Sequence, residues 1–228
     1  MAENVVRLLS TLALKGAVGH LTDRYQAATG TRIDADFAPT LGLLKRLREG
    51  EAADIVILTR GGLEDLVAAG SVTTESCIDL ARSYVGIAVK AGARHPDIAT
   101  EAALCATLLA ARSVAYSRIG ASGIYFAQLI ERLGIASEIN AKATISSGFT
   151  AMRLVMGEAD LAVQQISELK QVAGVEVLGP IPRELQTPAV FSAGVMAASP
   201  RAAQAHQFLR FLSLPEVAPV LRDSGLEP

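Results

Sequence analysis

Small polar residues follow the predicted buried strands at several points of the chain. They are Ser10-Thr11, Thr40, Thr59, Ser117, Ser122-Gly123, Ser146-Ser147-Gly148 and Gln164-Gln165. Hydroxyls, amides and the N–H groups at a helix start all donate hydrogen bonds, which a small anion accepts. Each residue alone also suits an ordinary helix N-cap, so the structural interpretation of any single one stays open. Taken as a set, they predict a site for an anion or a carboxylate.

The stretch from Ser113 to Phe126 shows this pattern most clearly. It is typical of a short strand, a turn of small residues and a helix that opens at Ser122. The first N–H groups of such a helix have no partner within it, and the positive end of the helix dipole lies beside them. We therefore expect Ser122 and Gly123 to contact the anion.

Four cationic side chains lie close to predicted strand ends or to a predicted crossing between lobes: Lys15, Arg60, Arg82 and Arg118. Arginine forms bidentate hydrogen bonds with carboxylates, which suits it to an anion site. The alternative for each of them is a solvated surface charge. The sequence does not decide between the two.

Composition excludes several classes of partner. The chain has 228 residues, a formal net charge of −2 and no tryptophan, so we expect no nucleic-acid binding. No apolar run approaches the roughly 20 residues that span a bilayer, so we expect no membrane insertion. The N-terminus lacks the features of a signal peptide. The sequence as it stands therefore predicts a cytoplasmic protein, or a periplasmic one if a signal peptide has been removed.

Motifs for metals and cofactors are missing from the sequence. Cys77 and Cys105 have no CxxC neighbour, and HExxH, P-loop and GxGxxG patterns are not found. We expect no metal and no cofactor.

Hydrophobic periodicity predicts an α/β fold. Apolar strands over Val5–Leu9, 32–37 and 54–58 alternate with helical patterns, an order that favours a parallel sheet with helices on both sides. Further along, the pattern predicts a strand over 83–89, a helix over 97–111 capped by Asp97, and a helix over 149–156. In open sheets of this kind, ligands bind beyond the carboxyl ends of the strands.

Six segments, in order over nearly the whole chain, carry a family resemblance: residues 6–15 (VRLLSTLALK), 37–40 (FAPT), 50–59 (GEAADIVILT), 122–125 (SGIY), 157–169 (GEADLAVQQISEL) and 177–180 (VLGP). Through them the chain resembles the molybdate-binding-protein-like family of type 2 periplasmic binding proteins. The resemblance implies two lobes, each a mostly parallel sheet flanked by helices, which close by a hinge motion on a ligand held in a cleft between them. Lobe 1 would hold residues 1–83 and 190–228, and lobe 2 would hold 84–189. It also implies a monomer, with an ABC permease as partner if the protein is secreted.

The sequence departs from true molybdate binders at two ligand positions of that family. The serine of the first loop corresponds to Ala13, with Ser10 and Thr11 slightly earlier, and the late tyrosine corresponds to Gln165. Thr40 keeps the hydroxyl of the second loop, and Gly148 corresponds to the backbone donor at a helix start. The double departure argues against molybdate or tungstate as the ligand.

Three functions remain open. The first is binding of an organic di- or tricarboxylate in the interlobe cleft. The second is an isomerase of the aconitate isomerase type, an activity that has arisen in proteins similar to molybdate binders. The third is molybdate- or tungstate-type oxyanion binding for transport.

An isomerase that moves a proton between two carbons needs a base near the substrate. Lys15 is our candidate, because a lysine buried among other cations loses its proton more readily.

Overall fold

The computed structural model describes residues 5–228, which divide into two compact units. The first unit contains the chain up to Arg82 and the segment Val190–Pro228, and the second contains Ser83–Ala189. Each unit is built around its own five-stranded sheet with flanking helices, and each is described by itself. The α/β fold with two sheets, predicted from the sequence, is confirmed.

The strands are β1 (Val5–Thr11), β2 (Arg32–Ala38), β3 (Ile55–Thr59), β4 (Ile78–Ser83), β5 (Val85–Lys90), β6 (Val114–Tyr116), β7 (Ala143–Ile145), β8 (Leu161–Gln165), β9 (Val175–Pro180) and β10 (Ala189–Val195). The α-helices are α1 (Lys15–Thr29), α2 (Thr40–Arg48), α3 (Arg60–Ala68), α4 (Glu101–Ala110), α5 (Ala121–Arg132), α6 (Ala136–Ala141), α7 (Met152–Val155), α8 (Ile166–Leu169), α9 (Ala202–Leu212) and α10 (Ala218–Asp223). Among residues 5–228, no helix combines the length and apolar character needed to cross a membrane.

The sheet of the first unit has the strand order β2-β1-β3-β10-β4. β1 runs parallel to both β2 and β3, and β10 runs antiparallel to β3. The register sets Ser10 opposite both Phe37 and Ile57, and Thr11 opposite Ala38. The carboxyl ends of β1, β2 and β3 therefore lie side by side, which brings the residues that follow them to one edge of the sheet.

The sheet of the second unit has the order β7-β6-β8-β5-β9. β6 runs parallel to β7 and β8, whereas β5 runs antiparallel to its two neighbours β8 and β9. Just past the paired strand ends, the N–H of Ser146 donates to the carbonyl of Tyr116 at 3.1 Å. The segments that follow β6 and β7 are thus held together at one edge.

Alternation along the strands builds a different core on each face of the second sheet. Ile87, Val114 and Val163 belong to a cluster of large side chains that includes Phe126 of α5. The intervening alanines, Ala88, Ala115 and Ala162, belong to a second cluster with Leu154 and Leu169. Small residues on that face let the short helices α7 and α8 pack closely on the sheet.

Two predicted helix boundaries were wrong, and one strand was missed. The fourth helix begins at Glu101, because Thr100 caps it through the N–H of Ala103, while Asp97 instead accepts the N–H of Ala99 in a turn. The predicted helix over 149–156 reduces to α7, because the side chain of Gln164 takes the N–H and the hydroxyl of Thr150. β4 was not predicted at all.

Candidate anion-binding site

Thr11, at the end of β1, has a buried hydroxyl without a partner. Its side chain is 2% exposed, and within residues 5–228 its Oγ1 makes no hydrogen bond. It precedes the short 3-10 helix at 12–14 but does not cap it. A buried hydroxyl left unpaired costs about 1–3 kcal/mol, so native proteins rarely keep one without a reason. A ligand that accepts this hydrogen bond would remove the penalty.

Two further hydroxyls lie at the same edge. Ser10 is fully buried and donates to the carbonyl of Thr11 at 3.3 Å. Thr40 is the first residue of α2 and is 7% exposed. Thr59, by contrast, is an ordinary N-cap, since its hydroxyl accepts the N–H of Gly62 at 3.4 Å.

Gly62 shows how closely the ends of β2 and β3 approach each other. A Cβ atom at this position would lie 3.2 Å from both Thr40 Cγ2 and Thr59 Oγ1. The position is therefore tight for any larger residue, and Thr40 is held against the start of α3. The first unit thus brings Ser10, Thr11 and Thr40 to one sheet edge.

Lys15 begins α1 close to this edge. Its ammonium lies 5.9 Å from the centroid of the Phe37 ring, and Phe37 is paired with Ser10 in the sheet. The side chain is exposed. The expected burial of Lys15 is therefore not found, and its role as a base stays a prediction.

Arg60 forms an ion pair with Asp79, and Asp79 also accepts a hydrogen bond from Ser192 at 2.6 Å. The hydrogen bond from Arg60 holds the pKa of Asp79 below its usual range. The charge of Arg60 is thus compensated within the first unit. Sequence reasoning did not find Asp79, because its strand β4 was not predicted.

Arg82 has an exposed side chain, and its backbone pairs with the end of the chain. Its N–H donates to the carbonyl of Glu227 at 2.6 Å, and the N–H of Glu227 donates back to the Arg82 carbonyl at 2.8 Å. The described contacts of Arg82 therefore join β4 to the C-terminal residues.

In the second unit, Ser117 builds the turn that precedes α5. Its hydroxyl accepts the N–H groups of Ile119 and Gly120, both at 3.2 Å. A Cβ atom on Gly123 would overlap the carbonyl of Ser117, so the helix start and the turn are in close contact. This contact gives Gly123 a structural reason to be glycine, independent of any ligand.

Ser122 and Arg118 lie beside this turn. Ser122 is the second residue of α5 and is 2% exposed. Arg118 is exposed and forms no ion pair among residues 5–228. A donor and an uncompensated cation at the start of a twelve-residue helix form a favourable environment for an anion.

Gly148 lies in the loop formed by residues 146–150, four residues before α7 begins. Gly148 is therefore not at a helix start, and its role as a backbone donor stays a prediction. Its carbonyl accepts the amide of Gln164 at 3.1 Å, and its N–H points to the hydroxyl of Ser146 at 3.4 Å. Gln164 thus fixes the shape of this loop.

Gln165, at the end of β8, is 1% exposed. With its amide nitrogen facing Ser83, it donates to the carbonyls of Ser83 and Tyr84 at 3.2 and 3.1 Å and approaches the Ser83 hydroxyl at 3.1 Å. The nitrogen of Gln165 therefore has partners in its own unit, next to the break between β4 and β5. These hydrogen bonds involve the amide nitrogen of Gln165 and not its amide oxygen.

Sequence similarity assigns the chain to a family. The sequence profile described as bacterial extracellular solute-binding protein matches residues 6–227, nearly the whole chain. The chain belongs to this family of bacterial extracellular solute-binding proteins. Its resemblance to molybdate-binding-like periplasmic binding proteins, read from the sequence, is confirmed.

Three individual relatives add detail. An aconitate isomerase from a Pseudomonas species is 35% identical over 228 residues, which cover 97% of this chain and 87% of the relative. The periplasmic molybdate-binding protein of Azotobacter vinelandii superposes with a TM-score of 0.83 over 98% of this chain and 99% of that one, at 16% identity. The sulfate-binding protein of Mycobacterium tuberculosis superposes with a TM-score of 0.78 over 98% and 86% of the two chains, at 17% identity. The two structural matches establish the periplasmic-binding-protein fold.

Proposed function

We propose that this solute-binding-family protein binds an organic tricarboxylate of the aconitate type and isomerises it by a 1,3-proton shift. The observation that carries the proposal is the 35% identity, over 97% of the chain, with an aconitate isomerase. The unpartnered hydroxyl of Thr11 and the uncompensated cation of Arg118 support it, because both suit a ligand with several carboxylates.

The proposed donors to the ligand lie at the strand ends of the first unit and at the helix start of the second. Ser10, Thr11 and Thr40 would donate from the first unit, and Ser122 with the N–H groups at the start of α5 would donate from the second. Ser10 would need to turn its hydroxyl away from the Thr11 carbonyl, a 3.3 Å bond that is long and easily exchanged. Four further residues remain proposed contacts with weaker support, because each has described partners in its own unit. They are Arg60, Arg82, Gly148 and Gln165.

The reaction itself moves one proton and shifts the double bond by one carbon. A base removes a proton from the methylene carbon, the released pair forms the new double bond, and the carbon at the far end of the old double bond accepts a proton. Atoms and charge balance without a cofactor. The negative charge that develops on the adjacent carboxylate in the transition state is stabilised by nearby donors and cations.

Lys15 is the proposed base. Replacement by alanine is expected to reduce the turnover of cis-aconitate to trans-aconitate at least 100-fold, since a positioned acid–base group contributes about 10²–10⁴-fold. Proton NMR of the incubated substrate measures this rate. Lys45→Ala is the matched control, because Lys45 is 73% exposed and pairs with Glu49 on the surface of α2. Undiminished turnover by the Lys15 variant removes it from the base role.

Arg118 offers a test of the ligand's charge. Arg118→Gln is expected to weaken the binding of cis-aconitate about tenfold at low salt, and less at high salt, because an exposed cation is screened by ions. Titration calorimetry at two salt concentrations checks both effects. Arg112→Gln serves as control, since Arg112 is 88% exposed, pairs with Asp160 and precedes β6 at the opposite sheet edge. Equal losses in the two variants would argue against a contact with Arg118.

A second candidate is binding without turnover, in which the protein delivers a carboxylate to an ABC permease outside the cytoplasm. The family description as extracellular solute-binding protein favours it. Calorimetry against cis-aconitate, trans-aconitate, citrate, molybdate and sulfate separates the ligand classes. Tight binding of a carboxylate without any change in its NMR spectrum over a day would favour this candidate over the isomerase.

A further inference from the structure

The second unit contains a cavity that the proposed function does not use. Its volume is about 620 Å³, within the range of roughly 300–1,000 Å³ that is typical of sites for small organic ligands. The end of β5, the turn after it, α4 and the segment between α7 and β8 form its walls. Every lining residue belongs to the second unit, so the cavity is formed by that unit alone.

The cavity lies at the sheet edge opposite to Ser117. It is lined by Arg112 and Asp160, which come just before the parallel strands β6 and β8. β5 runs antiparallel to β8, so its last residue, Lys90, reaches the same edge. Ser117 follows β6 and therefore lies at the other end of that strand. The cavity is thus separate from the donors of the candidate anion-binding site.

Apolar side chains form the floor of the cavity. Val89, Leu154 and Leu161 line it and are buried. Small residues surround this floor and leave room above it; they are Ala93, Ala106, Ala110, Ala111, Gly157 and Ala159. An apolar ring or a short chain placed here removes its own surface from water, which favours binding.

The rim of the cavity carries two cations without a carboxylate partner. Lys90 and Arg94 are exposed, line the cavity and form no ion pair among residues 5–228. The third lining cation, Arg112, donates to Asp160 through Nε at 3.0 Å and through Nη2 at 2.6 Å. The other lining carboxylate, Asp97, accepts a backbone N–H of its own turn. Three cations against two carboxylates leave the lining with a positive charge.

Lys142 counteracts the negative end of α4 beside the cavity. The last carbonyls of a helix carry partial negative charge, which would repel an anion. The Lys142 ammonium donates to the carbonyls of Leu109 and Ala111 at 2.6 and 2.7 Å. Because Ala111 also lines the cavity, this ammonium lies close to the rim and adds to its positive charge.

We propose that this cavity is a second binding site, for a small organic anion that joins one carboxylate or sulfonate to an apolar ring or chain. The apolar part packs on Val89, Leu154 and Leu161, and the acidic group pairs with Lys90 and Arg94. A small polycarboxylate is the wrong ligand for this cavity, because it has no apolar part to cover the floor. The proposal does not rest on the proposed function, since it concerns other residues and another class of ligand.

The test uses anilinonaphthalenesulfonate, a fluorescent anion with apolar rings, and its uncharged analogue phenylnaphthylamine. Fluorescence titration of the wild-type protein at low salt measures both affinities, and ¹⁵N NMR locates the bound probe. We expect the anion to bind about fivefold more tightly, as pairing of exposed charges allows, and to shift the amide resonances of Ala93, Ala106 and Gly157. Equal affinities, or shifts confined to residues outside the cavity, would overturn the proposal.

Ala106→Phe fills the cavity from α4. It is expected to weaken the binding of anilinonaphthalenesulfonate about tenfold or more, because the new ring covers the apolar floor in place of the probe. Ala106 is exposed, so the larger side chain leaves the core unchanged. Ala102→Phe is the matched control, since Ala102 is an exposed alanine one turn earlier on α4, outside the cavity lining. The same affinity in both variants would contradict binding in this cavity.

Arg94→Gln tests the pairing with the acidic group. It is expected to weaken the binding of the sulfonate about threefold and to change the binding of phenylnaphthylamine less than about 1.5-fold, because only the sulfonate loses an ion pair. Arg48→Gln is the control, as it removes an exposed cation of α2 in the first unit and should leave both affinities unchanged. Equal effects of Arg94→Gln on the two probes would show that the cavity does not select an anion.

Discussion

Replacement of Thr11 by valine is expected to weaken the binding of cis-aconitate roughly 10- to 100-fold without destabilising the protein. The two side chains have nearly the same shape, and the hydroxyl that valine lacks has no partner in the described protein. A hydrogen bond to a charged group contributes about 1.5–3 kcal/mol, and each 1.4 kcal/mol is about a tenfold change in affinity. The free energy of unfolding should stay the same or rise by about 1 kcal/mol, because a buried unpaired donor is removed.

The control for this prediction is Ser76→Ala, which removes a buried hydroxyl that, unlike the Thr11 hydroxyl, is hydrogen-bonded within the protein. Ser76 is 4% exposed, donates to the carbonyl of Thr73 at 2.6 Å and accepts the N–H of Val195 at 2.8 Å. Its loss should lower the free energy of unfolding by about 1–3 kcal/mol and leave the affinity unchanged. Calorimetry and urea unfolding of both variants measure the two quantities. A Thr11→Val protein that is destabilised but binds normally would show that Thr11 serves the fold and not the ligand.

Replacement of Gly123 by alanine is expected to be the most damaging single methyl addition in the second unit. The added carbon would overlap the carbonyl of Ser117, so the start of α5 and the turn before it must move apart. We expect a loss of about 3 kcal/mol or more in the free energy of unfolding, in the range of severe core overpacking. Because Ser122 and Arg118 lie on the displaced segment, binding should weaken as well.

Gly19→Ala is the matched control for this methyl addition. Gly19 lies within α1, and a Cβ atom there meets no heavy atom within 4 Å. Alanine is favoured over glycine in a helix interior by about 1 kcal/mol, so this variant should be slightly more stable than the wild type. Thermal unfolding of the two variants gives the comparison. If the Gly123→Ala protein were as stable as the wild type, the turn at Ser117 would be able to shift without a measurable cost in the free energy of unfolding.

Much of the fold follows from the sequence, because its strongest signals are local. The continuous apolar run of β3 and the apolar spacing in α1 each predict an element that the structure contains. β4 was missed because the segment is short and has only two large apolar side chains, Ile78 and Leu80. α7 was predicted too long because its first turn is replaced by hydrogen bonds to Gln164, which is distant in sequence.

The site was less predictable from the sequence, because hydroxyls that donate to a ligand belong to the same residue types as helix N-caps. Thr11 and Thr59 both follow a buried strand and precede a helical turn, but only Thr59 bonds to the helix start. The two threonines have nearly the same extended backbone, so the difference lies in the turn that follows: a short 3-10 helix follows Thr11, and an α-helix follows Thr59. The exposure of Lys15 and the pairing of Arg60 with Asp79 depend on tertiary neighbours.

The most direct test of the central claim is proton NMR of cis-aconitate incubated with the wild-type protein in D₂O, with the Thr11→Val and Lys15→Ala variants beside it. The account predicts that signals of trans-aconitate appear at a rate proportional to the wild-type concentration, and that both variants slow their appearance. A spectrum of cis-aconitate that changes no faster with the wild-type protein than in buffer alone would contradict it.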